Sequence, residues 1–377
     1  MIQNPSVFQT RLYRLALPLA LAVATASGCR AQQPPPDWSV DCVGRLSLNL
    51  PGPVEVGAMT SNQFIGNSDA SVYSFADGQR AGYSRFLYGG LLAITHPLSA
   101  QEIKETALQF KSSMARVGAQ IASGETDSVD GTKLRLHGLT LPAPATGWQT
   151  VSANHFSMTA YLPVGNVAIK WRISAATERS PAYRKDLEAF LFGVRPRPIL
   201  TVPAENGVCL PNVFVQDSGR ANVTRIVATT YRLREHPDVT IMVEDATATA
   251  VPDGRDPKLY SAVYKSNFFW TQRYRTAVKS LKSLLNRKHN KIKLARQDAV
   301  ETMFQLEREN GTEDFGYLVI SRGDPDAAVD TPDIMLYVIR DADNAKKKGF
   351  TPVPKDEFFA MAKSIAASVQ RREIKKL

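Results

Sequence analysis

Apolar residues recur along the chain with two periods. Residues 42–50 (CVGRLSLNL) alternate apolar and polar side chains and predict a half-buried strand, which Pro51-Gly52-Pro53 stops. Short strands are expected at 54–60, 72–75 and 91–95. Ser99-Ala100-Gln101-Glu102 is a capping box. It predicts a helix to about Val117, with Ile103, Leu108 and Met114 on the apolar face and Gly118 as terminator. The period of two returns at 133–136, 150–161 and 167–173, with Gly165-Asn166 as a hairpin turn. Pro181 opens a second helix to about Phe192, with Tyr183, Leu187 and Phe190 spaced for one face.

Residues 195–203 (RPRPILTVP) form a proline-punctuated connector, and the plan then repeats. Strands are expected at 224–233 and 239–243, a long helix at 259–285, and strands at 299–307, 315–320 and 334–339. A last helix, 355–370, carries Phe358, Ala362, Ile365 and Val369 on one stripe. Each half reads strands, helix, three strands, helix. The expected class is α+β, with two related domains at 37–202 and 203–372. Each is a mainly antiparallel sheet packed with two helices. The likeness of the halves is either a duplication or chance agreement between two ordinary α+β strings.

The N-terminal segment changes the compartment. Arg11 and Arg14 precede the apolar run LALPLALAVATASGC at 15–29, and no acidic residue comes before Asp37. This reads as a secretory signal peptide over residues 1–28, too short to span a bilayer that needs about 20 apolar residues. Ala26-Ser27-Gly28-Cys29 resembles a bacterial lipobox, which makes Cys29 the expected lipidation site. Ordinary cleavage nearby without lipid is the other reading. Residues 29–36, ending in Pro34-Pro35-Pro36, are expected to form an extended tether. Removing residues 1–28 takes two positive charges from the formal +10 and leaves a basic chain of 349 residues. Outside the cytoplasm, such charge suggests an anionic membrane or an acidic protein before nucleic acid. Cys42 and Cys209 then make an even pair, read as a disulfide or as two buried thiols.

Enzyme signals are sparse. The chain has no G-x-S-x-G, H-E-x-x-H or P-loop motif, and its five histidines, His96, His137, His155, His236 and His289, have no metal spacing. His155 lies in an alternating strand, where a serine or carboxylate from elsewhere could meet it. Asp324, Asp326, Asp330 and Asp333 lack the glycine and glutamate of a calcium loop and read as a solvated turn. Residues 273–296 hold nine Lys/Arg and no acid, and read as a solvated basic face or a docking face for an acidic partner or phospholipid surface. Neither a cofactor nor a catalytic or metal site is expected.

Several ordered stretches carry a resemblance. They are Trp38 with Cys42-Val43-Gly44-Arg45-Leu46-Ser47-Leu48-Asn49-Leu50-Pro51; Gly207-Val208-Cys209-Leu210; His236-Pro237-Asp238-Val239; and Gly323 with Thr331-Pro332-Asp333-Ile334-Met335-Leu336, before a closing helix that ends at Arg371-Arg372. Together they resemble the periplasmic immunity proteins cognate to class-four type VI secretion lipase effectors. The chain departs from that pattern at Pro211-Asn212 and in its basic stretch at 273–296. The resemblance implies an inhibitor of two α+β domains that grips the lid of a secreted phospholipase. It implies no enzyme activity. Arg30 follows Cys29, and the absence of aspartate there resembles outer-membrane sorting, so the expected anchor lies on the inner leaflet of that membrane. A periplasmic hydrolase with a dispersed site and a structural envelope lipoprotein are the alternative readings.

Overall fold

The computed structural model of the chain describes residues 38–66, 72–124, 131–218, 223–274, 278–328 and 330–372. The expected lipidation site Cys29, the expected signal peptide and the expected tether lie outside the described residues.

The opening alternating run does not form one strand. Gly44, at φ +58°, reverses the chain, so β1 (Trp38–Val43) and β2 (Leu46–Pro51) pair as an antiparallel hairpin with Val43 opposite Leu46. A two-residue turn preserves the parity of the pattern, which is why alternation alone does not reveal it. After β3 (Val54–Val56), α1 (Ser61–Gly66), β4 (Arg85–Tyr88) and β5 (Leu91–Ile94) comes α2 (Ala100–Ser123). The capping box forms: the Ser99 hydroxyl accepts from the Glu102 N–H at 3.2 Å, and the Glu102 carboxylate accepts from the Ser99 N–H at 2.7 Å. The helix runs through Gly118 and stops at Gly124, in the left-handed region at φ +74°. Gly118 stays helical where Leu136 packs so close that a Cβ would lie 3.1 Å from it.

The expected strand at 150–161 is two strands. After β6 (Arg135–Gly138), β7 (Thr146–Val151) and β8 (His155–Val164) are separated by a turn that the Ser152–His155 main-chain bond closes. β9 (Val167–Ala176), α3 (Ser180–Gly193), β10 (Val194–Pro196), β11 (Gly207–Leu210) and β12 (Val213–Gln216) follow. The second half holds β13 (Arg225–Leu233), β14 (Val239–Ala246), α4 (Ala262–Tyr274), β15 (Ser280–Ser283), β16 (Asn290–Leu294), β17 (Gln297–Glu307), β18 (Glu313–Ser321) and β19 (Asp333–Arg340). It closes with α5 (Ala342–Lys347), α6 (Lys355–Ser368) and β20 (Gln370–Arg371). The long helix expected at 259–285 is therefore corrected. α4 ends at Tyr274, and β15 pairs with β17, Ser280 opposite Glu307. Leu281, Leu284 and Leu285 have helical spacing, but pairing with a strand some 20 residues downstream uses the same apolar residues and prevails.

The class is α+β with antiparallel pairing. One sheet of fourteen strands crosses the connector, in the order β15-β17-β18-β19-β14-β13-β4-β5-β9-β8-β7-β6, with β16 also on β17 and β3 on β13. β13 is the link: Arg225–Ala228 pair with β4 of the first half, and all but its two ends pair with β14 of the second. Cross-strand neighbours share a face. Trp171, Leu92, Phe86, Val227, Asp245 and Ile334 therefore point to one side, where α3 and α6 pack. Tyr161, Lys170 and Ala93, and farther along Ala228, Glu244 and Met335, point to the other side, which α2 and α4 cover.

Candidate partner-binding surface

The two halves meet around Cys42 of β1 and Cys209 of β11, which are joined as a disulfide with Cα atoms 5.7 Å apart across a sequence separation of 167. Phe214 packs on the bridge. Buried charges surround it. Arg197, in the connector, donates to Asp41 at 2.5 Å and to the carbonyls of Thr201 and Leu210, while the Tyr231 hydroxyl donates to Asp41 at 2.8 Å. Arg45 meets Asp217 at 2.9 Å, and the Tyr88 hydroxyl donates to the same carboxylate. Burial and the neighbouring Asp41 push the Tyr231 phenol well up, so it stays a donor. Arg372 closes the joint by donating to the Gly207, Pro203 and Glu205 carbonyls. These partners lie between 4 and about 190 residues apart, so no local spacing marks them. The only sequence signal is a polar residue, such as Asp41, beside strongly apolar strand positions.

The residues with catalytic interest go elsewhere. His155 Nδ1 lies 3.0 Å from the Ala175 carbonyl and so donates, leaving Nε2 to accept from the Ser174 hydroxyl at 2.9 Å. A serine does meet His155, but main chain, not a carboxylate, stands behind the imidazole, and the pair is exposed on the sheet. His96 is held by the Ser74 carbonyl, and burial lowers its pKa. Among the described residues no group of three His, Cys, Asp or Glu is placed to hold a metal. In the aspartate-rich segment Asp333 departs from the solvated reading. It is buried at the start of β19, accepts from Gly323 N–H at 2.7 Å and pairs with Lys265 and Arg322. The basic stretch lies along the sheet edge. Lys282, Lys291 and Lys293 alternate outward on β15 and β16, and Lys279 and Lys293 pair with Glu307 and Asp298.

Sequence reasoning did not single out the surface over α4. Ser261 caps the helix by accepting from Tyr264 N–H at 3.1 Å. Ser266, Trp270 and Tyr274 recur every four residues and face the sheet, where the indole N–H of Trp270 donates to Thr302 Oγ1 at 2.9 Å. Val263, Tyr264 and Phe268 are left outward, Phe268 54% exposed, and Tyr264 stacks on Phe268 with ring centres 6.3 Å apart. Beside them opens a groove of about 530 Å³. Its walls include Leu259, Tyr264, Phe268 and Phe269, and Tyr83 of the first half, whose ring lies 5.6 Å from that of Phe269. Ile320 and Met335 line it from the sheet, with Glu244 beside them. Exposed aromatic side chains clustered around a groove are a surface that a partner can cover. Among the described residues no helix is long and apolar enough to cross a membrane.

No curated protein matches the chain in sequence. The chain is similar in structure to the crystal structure of the Tle4–Tli4 complex, with 13% identity over 89% of this chain and 98% of that chain and a TM-score of 0.57. It is similar to the apo structure of the type VI secretion immunity protein TplEi from Pseudomonas aeruginosa, at 12% identity, covering 89% and 97% of the two chains, with a TM-score of 0.54. The same immunity protein complexed with an "L" peptide matches at 13% identity, covering 89% and 99%, with a TM-score of 0.53. The chain thus has the fold of these immunity proteins, and residues 201–373 match the model of the Tle cognate immunity protein 4 C-terminal domain.

Proposed function

We propose that this protein binds and inhibits a type VI secretion phospholipase effector in the periplasm, holding the effector's lid closed, and that Cys29 carries the lipid that keeps it at the inner leaflet of the outer membrane. The observation that carries the reading is the family match over residues 201–373, on a fold shared with the immunity protein TplEi. An interfacial lipase moves a lid to admit a lipid chain. A partner that binds only the closed lid draws the population to that state by its differential affinity. Moving a lid from mostly open to mostly closed needs about 5.5 kcal/mol of preference. A partner that grips in this way must itself be stiff. The sheet that runs through both halves, the Cys42–Cys209 bridge and the buried arginine–carboxylate pairs beside it supply that stiffness. Inhibition of this kind makes and breaks no bond in any substrate.

Co-expression with the lipase encoded beside it tests the proposal. A stable complex with lipase activity lost is expected, and two proteins that stay apart at micromolar concentration would overturn it. Cys29→Ala tests the anchor separately. The variant should leave the membrane fraction while the purified protein still inhibits.

A further inference from the structure

The groove over α4 is not wholly apolar: Lys265, Gln272 and Asp333 stand among its apolar walls, and Glu244 does too. Glu244 stands half-buried among them, on β14, with Ala228 and Met335 as its cross-strand neighbours. Among the described residues its carboxylate makes no hydrogen bond. The cation that attracts it most, Lys265 on α4, is paired with Asp333 at 3.2 Å, and Arg322 is paired with the same carboxylate. Lys265 and Arg85 of β4 attract Glu244 without bonding it, and Asp333 and Asp245 repel it. Burial raises its pKa.

An entirely apolar segment laid over the groove would seal this carboxylate from water with no donor. That penalty opposes what covering Tyr264 and Phe268 gains. The occupant must therefore bring a donor to Glu244. The aromatic faces of Tyr83, Tyr264, Phe268 and Phe269 attract a cation and fit the apolar stem of a long basic side chain. We propose that the groove receives an apolar segment of the effector that carries a lysine or arginine, whose cation pairs with Glu244 between the aromatic walls. This rests on the immunity reading above and names the surface and the chemistry of its partner.

The experiment measures effector affinity for the wild type, Glu244→Gln, Phe268→Asp and, on the opposite face, Phe192→Asp. Glu244→Gln should weaken Kd by about 30-fold or more, the usual loss when one member of a desolvated charge pair is removed, and should flatten the dependence of affinity on salt. Phe268→Asp should weaken binding at least as much, Phe192→Asp should bind like the wild type, and all four should melt alike. A wild-type complex indifferent to both groove substitutions overturns this proposal and leaves the immunity reading standing. Loss with Phe268→Asp but not with Glu244→Gln overturns the cation pairing. A wild type that binds no effector removes the immunity reading and this proposal with it.

Discussion

Arg225 and Asp245 grip each other across neighbouring strands with almost no solvent contact, through N–H···O bonds of 3.2 and 2.9 Å at side-chain exposures of 1% and 0%. The same carboxylate accepts from the Arg45 N–H at 2.7 Å, and so ties the hairpin turn at Gly44 to the middle of the sheet. Asp245→Ala would leave a buried guanidinium uncompensated and should cost about 3–5 kcal/mol. Replacing both partners with apolar residues, Arg225→Met with Asp245→Leu, should recover most of that loss. Urea unfolding of the two variants beside the wild type checks both statements. Gly44→Ala should destabilise as well. Its φ of +58° disfavours a side chain, and the added Cβ would fall 2.3 Å from the Asp245 carboxylate.

The Cys42–Cys209 bridge closes a loop of more than 160 residues, for which the chain-entropy picture gives about 5 kcal/mol and engineered cases often less. Cys42→Ser with Cys209→Ser should therefore lower unfolding stability by about 2–5 kcal/mol. Reductant should bring the wild type to the same value and leave the double variant unchanged.

Lys170 is buried on β9, its ammonium donating to the Phe64 carbonyl, and burial, aided by Arg172, lowers it to about 8. Below about pH 8 both folded and unfolded chains hold the proton, and the burial penalty is fully present. Above it, up to the ordinary lysine value, the unfolded chain binds a proton that the folded chain has released, so stability rises with pH. A gain of about 1–2 kcal/mol between pH 8 and 10 is expected by chemical denaturation, and Lys170→Met should abolish the slope. Tyr161, raised by burial to about 12, works against stability only above that window.

Gly316 of β18 lies under the Trp270 ring, and a Cβ there would sit 2.4 Å from it. Gly316→Ala should push α4 off the sheet, at about 1–3 kcal/mol of stability, and quench or shift the tryptophan emission. Because α4 carries Tyr264 and Phe268, effector affinity should fall with it, while the remote Lys170→Met should leave affinity intact.

Features that depend on residues a few positions apart are legible in the chain alone. The capping box at Ser99, the trio β17, β18 and β19, and the stripe Phe358, Ala362 and Ile365 of α6 are all local patterns of side-chain period or cap, and the chain forms them where they are written. Tertiary structure decided what local patterns leave degenerate. The run Leu281, Leu284, Leu285 fits a helix as well as an edge strand, and only the presence of β17 selects the strand. Gly44 turns a single alternating run into a hairpin that Asp245 holds, Cys42 meets Cys209, and β13 draws both halves into one sheet, because partners more than a hundred residues apart compete on burial and pairing energy rather than on spacing. Glu244 is an ordinary strand glutamate in the sequence, and only the aromatic walls assembled around it, Tyr83 from one half and α4 from the other, make its charge a feature of the surface.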